Sequence, residues 1–143
     1  MINNSYRILF FLRIPLFIHW VTIMILTSIP LESLPSVRLG DKFEHFLAFF
    51  VLGFFLYLNF LFQNKIKLFQ KYPFTFTLLL CAAYGAFDEL HQLFIPGRSA
   101  EFIDWIADFL GAIAGISLAF LTNKLFKENL INLLKLKLEP LSE

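Results

Sequence analysis

The chain has 143 residues, 58% of them hydrophobic and only 16% charged, with a mean hydropathy of +0.70; it fits a single domain, but not one with a water-soluble surface. A formal net charge of +1, without a continuous basic stripe, argues against nucleic-acid binding. The lone cysteine, Cys81, leaves no disulfide framework and no thiolate metal centre within one chain.

Four apolar runs follow one another, at residues 14–31, 46–62, 74–95 and 105–122, each approaching the roughly 20 residues that cross a hydrocarbon core. The first follows Arg7 and Arg13 and ends in Ser28-Ile29-Pro30-Leu31-Glu32 without a small-x-small cleavage site, so it reads as a retained span. The third carries Asp88, Glu89, His91 and Gln92 at its end and spans only where protein shelters those groups. Turns are marked by Pro, Gly and charge in the segments 33–38, 63–73 and 96–101. Residues 124–138 alternate Leu, Phe and Ile with Lys and Asn, a pattern for either an interfacial amphipathic helix or an extension of the last span. The expected fold is all-α: an integral membrane four-helix transmembrane bundle in one domain, 1–143, with a C-terminal amphipathic interfacial helix in a tail from residue 123. Nine basic residues (Arg7, Arg13, Lys65, Lys67, Lys71, Lys124, Lys127, Lys135 and Lys137) fall on one side of these spans, against Arg38, Lys42 and Arg98 on the other. This bias predicts cytoplasmic termini and outward-facing loops.

Polar residues gather at the outward ends of the second, third and fourth runs. Asp41 and His45 are four apart in DKFEH, on one face of a helix start, where an acidic residue also suits the dipole. Gly85, Asp88 and Gln92 share a face beside Glu89 and His91. After the Pro96-Gly97-Arg98 turn, Asp104 and Asp108 stack on one face. Asp108 lies about 6 Å further in than Asp104, where a charge costs on the order of 3 kcal/mol, so it needs a partner. Arg98 and Lys42 are the expected cations. The stripe Ala107, Gly111, Gly115 and Ala119 lets another helix approach closely, and the two carboxylates continue that face into the bundle.

The segments DKFEH and YGAFDELHQLFIPGRSAEFIDWIADFLGAIAG, with SIP before the first loop, resemble the VanZ-like family of bacterial membrane proteins over roughly residues 25–115. The likeness rests on a DK-x-x-H helix start, a DE-x-x-Q helix end, a PGR turn and a D-W-x-x-D start. It implies a multi-pass protein of the bacterial plasma membrane. The family's founding member is tied to low-level teicoplanin resistance. Carried over, the motif marks Asp41, Lys42, His45, Asp88, Glu89, Gln92, Arg98, Asp104 and Asp108, with His91 and Trp105 fitting beside them.

Three readings of this cluster stay open. One is a structural ionic network holding the helices in register, which apolar Gly and Ala packing would do at lower cost. The favoured one is a ligand site for an anionic envelope lipid or cell-wall precursor, with Arg98 as a phosphate- or carboxylate-binding fork and Lys42 as a second cation. The third is an enzyme using a carboxylate and histidine cluster, with or without a divalent metal. It ranks lower because no nucleophile elbow, phosphate loop or HExxH pattern is present. The lipid bilayer is the expected partner; no cofactor or metal is expected, and the oligomeric state stays open.

Overall fold

The computed structural model describes residues 8–33, 40–63 and 65–134, all of them helical or connecting segments. Arg7, Arg38, Lys135 and Lys137, counted in the charge bias above, lie outside the described residues. A π-helical turn, Leu9–Arg13, leads into α1, Ile14–Thr27, with Pro15 in its first turn. Pro30 keeps the preceding residue out of helical geometry, so α1 ends at Thr27 rather than running on to Leu31. Helix α2, Asp41–Phe62, starts at Gly40, whose φ of 108° suits glycine alone. The polar DKFEH motif is therefore the first turn of the helix itself. The short α3, Lys67–Lys71, precedes α4, Pro73–Gln92, again opened by a proline. Gly97 takes φ 75° in the turn that leads to α5. Helix α5, Phe102–Leu134, passes the expected boundary near residue 122 and bends at Phe126 (φ −120°, ψ 23°). Residues 123–134 therefore continue the last span, with the bend among them.

Three of these helices are long and apolar enough to cross a membrane, over Phe10–Thr27, Asp41–Phe62 and Phe102–Asn132. Helix α4, with its polar end, is not among them. Large apolar side chains such as Phe17, Leu79, Phe102 and Leu125 are exposed on the outer faces, a surface suited to lipid. Cross-helix contacts give the directions. The Asn59 amide donates to the Leu12 carbonyl at 3.1 Å, and the His19 Nε2 lies 2.8 Å from the Ala48 carbonyl, so α1 and α2 are antiparallel. Gly111 and Gly115 face the carbonyls of Phe46 and Phe50, so α2 and α5 run parallel. The Glu101 backbone N–H donates to Glu89 at 2.7 Å and Gly85 faces Asp108, which sets α4 antiparallel to α5; the Trp105 indole also donates to the Ala82 carbonyl at 2.9 Å.

The core has two parts. Ile8, Leu12, Tyr57, Phe62, Ile116 and Ala119 fill one end; Ile23, Phe49, Leu52, Cys81 and Ala112 fill the middle. Between α2 and α5 the backbones themselves touch, since a Cβ at Gly53 would sit 2.8 Å from the Ala112 carbonyl oxygen, and Cβ atoms at Gly111 and Gly115 would overlap the carbonyls of Phe46 and Phe50. Close approach of this kind replaces hydrophobic association in a lipid setting, where tails are as apolar as side chains. Gly115→Ala is expected to destabilise the protein by about 1–3 kcal/mol or more through overpacking, read as a lowered midpoint in detergent thermal unfolding. Ala83→Leu, on the exposed face of α4, should leave the midpoint within error.

Candidate functional site

The parallel register of α2 and α5, with α4 reversed between their faces, brings the start of α2, the end of α4 and the start of α5 to one level. His45, Asp88, Glu89, Gln92, Asp104 and Asp108 are all buried there. His45 Nδ1 donates to Asp108 Oδ1 at 3.0 Å and lies 3.9 Å from Glu89 Oε1, too far for a hydrogen bond. The other oxygen of Glu89 accepts the Glu101 backbone N–H at 2.7 Å. Gln92 donates to Asp88 Oδ2 at 3.1 Å, one helical turn away. Gly85 leaves the room that Asp108 occupies, since a Cβ there would meet Asp108 Oδ2 at 2.9 Å.

Lys42 reaches across to α5, 2.5 Å from Glu101 Oε2 and 2.8 Å from Asp104 Oδ1. The second approach is an ion pair without hydrogen-bond geometry, for Asp104 Oδ1 counts among the buried oxygens with no hydrogen-bond partner. Lys42 is thus the expected cation for Asp104, and its ammonium stays partly exposed beside an exposed Glu101.

Arg98 departs from the expected pairing. Its Nη2 donates to the Leu26 carbonyl at 2.9 Å and its Nε to the Ile29 carbonyl at 3.3 Å. Among the described residues it forms no ion pair with Asp104 or Asp108. The carbonyls at the C-terminus of α1 have no intrahelical partner and carry the negative end of the helix dipole. The guanidinium satisfies both needs, which a sequence pattern confined to the loop does not reveal. Asp108 takes His45 as partner instead. His91 also leaves the cluster: Nε2 lies 3.0 Å from Ser28 Oγ. With the Ser28 hydroxyl donating to Met24 at 2.6 Å, the imidazole N–H is the donor. Trp105 ties α5 to α4 from the packed side.

A cavity of about 490 Å³ opens beside this level. Its apolar wall includes Ile23, Leu26, Leu47 and Val51, and its polar wall Asp41, Glu44, His45, Asp88 and Arg98. His19, Thr22 and Thr27 of α1 complete it. Of these, His19 and Glu44 were not singled out from sequence. His19 carried a usable signal, an ionisable side chain inside an apolar run. Glu101, too, joins through the Lys42 pair. Separating the buried histidine from its carboxylate should be costly: His45→Gln or Asp108→Asn alone is expected to destabilise by roughly 3–5 kcal/mol. The double variant should lose less than the sum, measured as coupling in a denaturation cycle.

The family model described as VanZ/LLP1 matches residues 2–124, most of the chain, and the protein belongs to that family. No curated protein and no solved structure is significantly similar to it.

Proposed function

As a member of the VanZ/LLP1 family with helices apolar enough to span a membrane, the chain is a membrane protein, and we propose that its cavity binds an anionic amphiphile of the bacterial cell envelope. The reading places all four long helices across the plasma membrane. Helix α4 lies along α2 and α5 from Leu78 beside the Tyr57 and Phe62 end to Glu89 at the His45 level, and Asp88, Glu89 and Gln92 at its polar end are buried. With cytoplasmic termini, as the Lys and Arg bias argues, the cavity faces the outer leaflet. The site residues of this proposal are Asp41, His45, Asp88 and Arg98 along the cavity, with Lys42, Glu89, Gln92, Asp104 and Asp108 holding them in place.

The observation that carries it is the division of the cavity: an apolar wall against which a lipid chain lies, and a polar end where Arg98 is the only Lys or Arg among the described lining residues. A guanidinium has five N–H donors, of which carbonyls of α1 take two. Donors therefore remain for a phosphate or carboxylate. Asp41, Glu44 and Asp88 on the same wall repel a bare anion, so the headgroup that fits also offers hydroxyl or ammonium hydrogens, as lipid-linked cell-wall precursors do. Glycopeptide susceptibility, teicoplanin above all, is the cellular phenotype this reading connects to the family resemblance.

Arg98→Lys keeps the charge but loses the planar fork. In detergent, a polyprenyl diphosphate-linked sugar is expected to raise the unfolding midpoint of the parent protein, and Arg98→Lys to weaken that binding by about tenfold, or ~1.4 kcal/mol. Phosphatidylcholine is the control lipid. Equal binding by the inserted, folded Arg98→Lys protein, together with unchanged teicoplanin susceptibility of expressing cells, would remove the anionic ligand.

A further inference from the structure

The charge balance at this level is unequal. Among the described residues, Glu89, Glu101, Asp104 and Asp108 are faced by Lys42 and His45 as their cationic groups. Lys42 is committed to Glu101 and Asp104, and Arg98 to the end of α1. His45 alone is left to face Glu89 and Asp108. Each of these three side chains is more than nine-tenths buried, at 7%, 7% and 1% exposure respectively. Uncompensated carboxylates in such a setting are costly.

Two buried oxygens show where the missing positive charge belongs. Glu89 Oε1 and Asp108 Oδ2 have no hydrogen-bond partner, although the opposite oxygen of each is engaged by the Glu101 N–H and by His45. The Glu101 N–H holds Glu89 in place as a supporting shell does around a metal, whereas the His45 Nδ1 hydrogen bond to Asp108 is exchanged for the metal when that nitrogen, deprotonated, becomes a ligand. The ligand atoms offered by His45, Glu89 and Asp108 all lie within 4.8 Å of one another. A tetrahedral zinc-class ion at about 2.0–2.2 Å from each ligand sets them roughly 3.3–3.6 Å apart, and His45 Nδ1 already lies 3.0 Å from Asp108 Oδ1 and 3.9 Å from Glu89 Oε1.

We propose that His45, Glu89 and Asp108 form a site for one divalent transition-metal ion, with zinc the species best matched to one imidazole and two carboxylates. A second group, Asp41, His45 and Asp104, also lies within 4.8 Å. It shares the same histidine, and its Asp104 is already neutralised by Lys42, so the deeper triad is the site. His45 also lines the cavity, which gives the ion its path in. The bound ion reduces the negative charge behind the cavity wall. The site stands whether or not the cavity takes a lipid.

The test uses the full chain, purified in detergent, stripped with a chelator and titrated with zinc chloride against a chromophoric competitor. The expected result is one Zn²⁺ per chain at submicromolar affinity, with a raised unfolding midpoint. Glu89→Gln and Asp108→Asn should each weaken binding at least tenfold, while Asp41→Asn leaves it within twofold. If Asp108→Asn does not fold, Glu89→Gln and the stoichiometry of the parent protein decide. Absence of zinc binding to the stripped parent, affinity unchanged by Glu89→Gln, or an equal loss in Asp41→Asn would each overturn the site.

Discussion

The backbone approach of α2 to α5 is the constraint from which the remaining geometry follows. Gly53, Gly111 and Gly115 leave no space for a Cβ at the crossing, so the two helices have one register and no freedom to slide. His45 lies one residue before Phe46, whose carbonyl covers Gly111, and Asp108 lies three residues before that glycine. The 3.0 Å contact between His45 and Asp108 is therefore fixed by packing a turn away. A histidine and a carboxylate buried in a bundle need this rigidity, because a small rotation of either helix would leave both charges without a partner.

Helix α4 is held to that pair by different means. Gly85 gives up its side chain to the Asp108 carboxylate, and the Trp105 indole bonds the Ala82 carbonyl. Glu89 then bonds the backbone at Glu101, where α5 begins. Helix α1 is the outer wall, joined by His19 to α2, by Ser28 to His91 and by Arg98 at its C-terminus. These joints leave the cavity open between α1 and α2 while the other three helices close around the carboxylates.

Much of this was legible from spacing. The alternating four- and three-residue spacing of Asp104, Asp108, Gly111 and Gly115 within one face predicts a buried carboxylate pair continuing a close-packed stripe, and both carboxylates are buried on it. Lys42 as a partner for Asp104 followed from placing both at outward helix ends. The pairing of Arg98 with α1 was not legible, since which carbonyls a loop arginine reaches depends on how far α1 rises beside it, and no local pattern encodes that. The same holds for His45 and Asp108, whose contact is a product of helix rotation. The limit of α5 escaped for another reason: alternation of Leu and Phe with Lys serves equally a continuing helix and a new one, and only the bend at Phe126 separates the two.

The depth of the polar residues orders their chemistry. Near the helix ends Lys42 and Glu101 are close to half exposed, so their pair is screened and adds little to stability. One turn deeper Asp104 is almost wholly enclosed yet still within reach of the Lys42 ammonium, the long stem of the lysine carrying charge inward while its head stays wet. Deeper again, no lysine or arginine reaches Asp108 among the described residues, and a histidine takes that role. Imidazole is the cation that can be buried at lowest cost because it can also be neutral. It is also the nitrogen donor that a metal prefers, so the residue best able to tolerate the depth is the one that gives this level its chemical character.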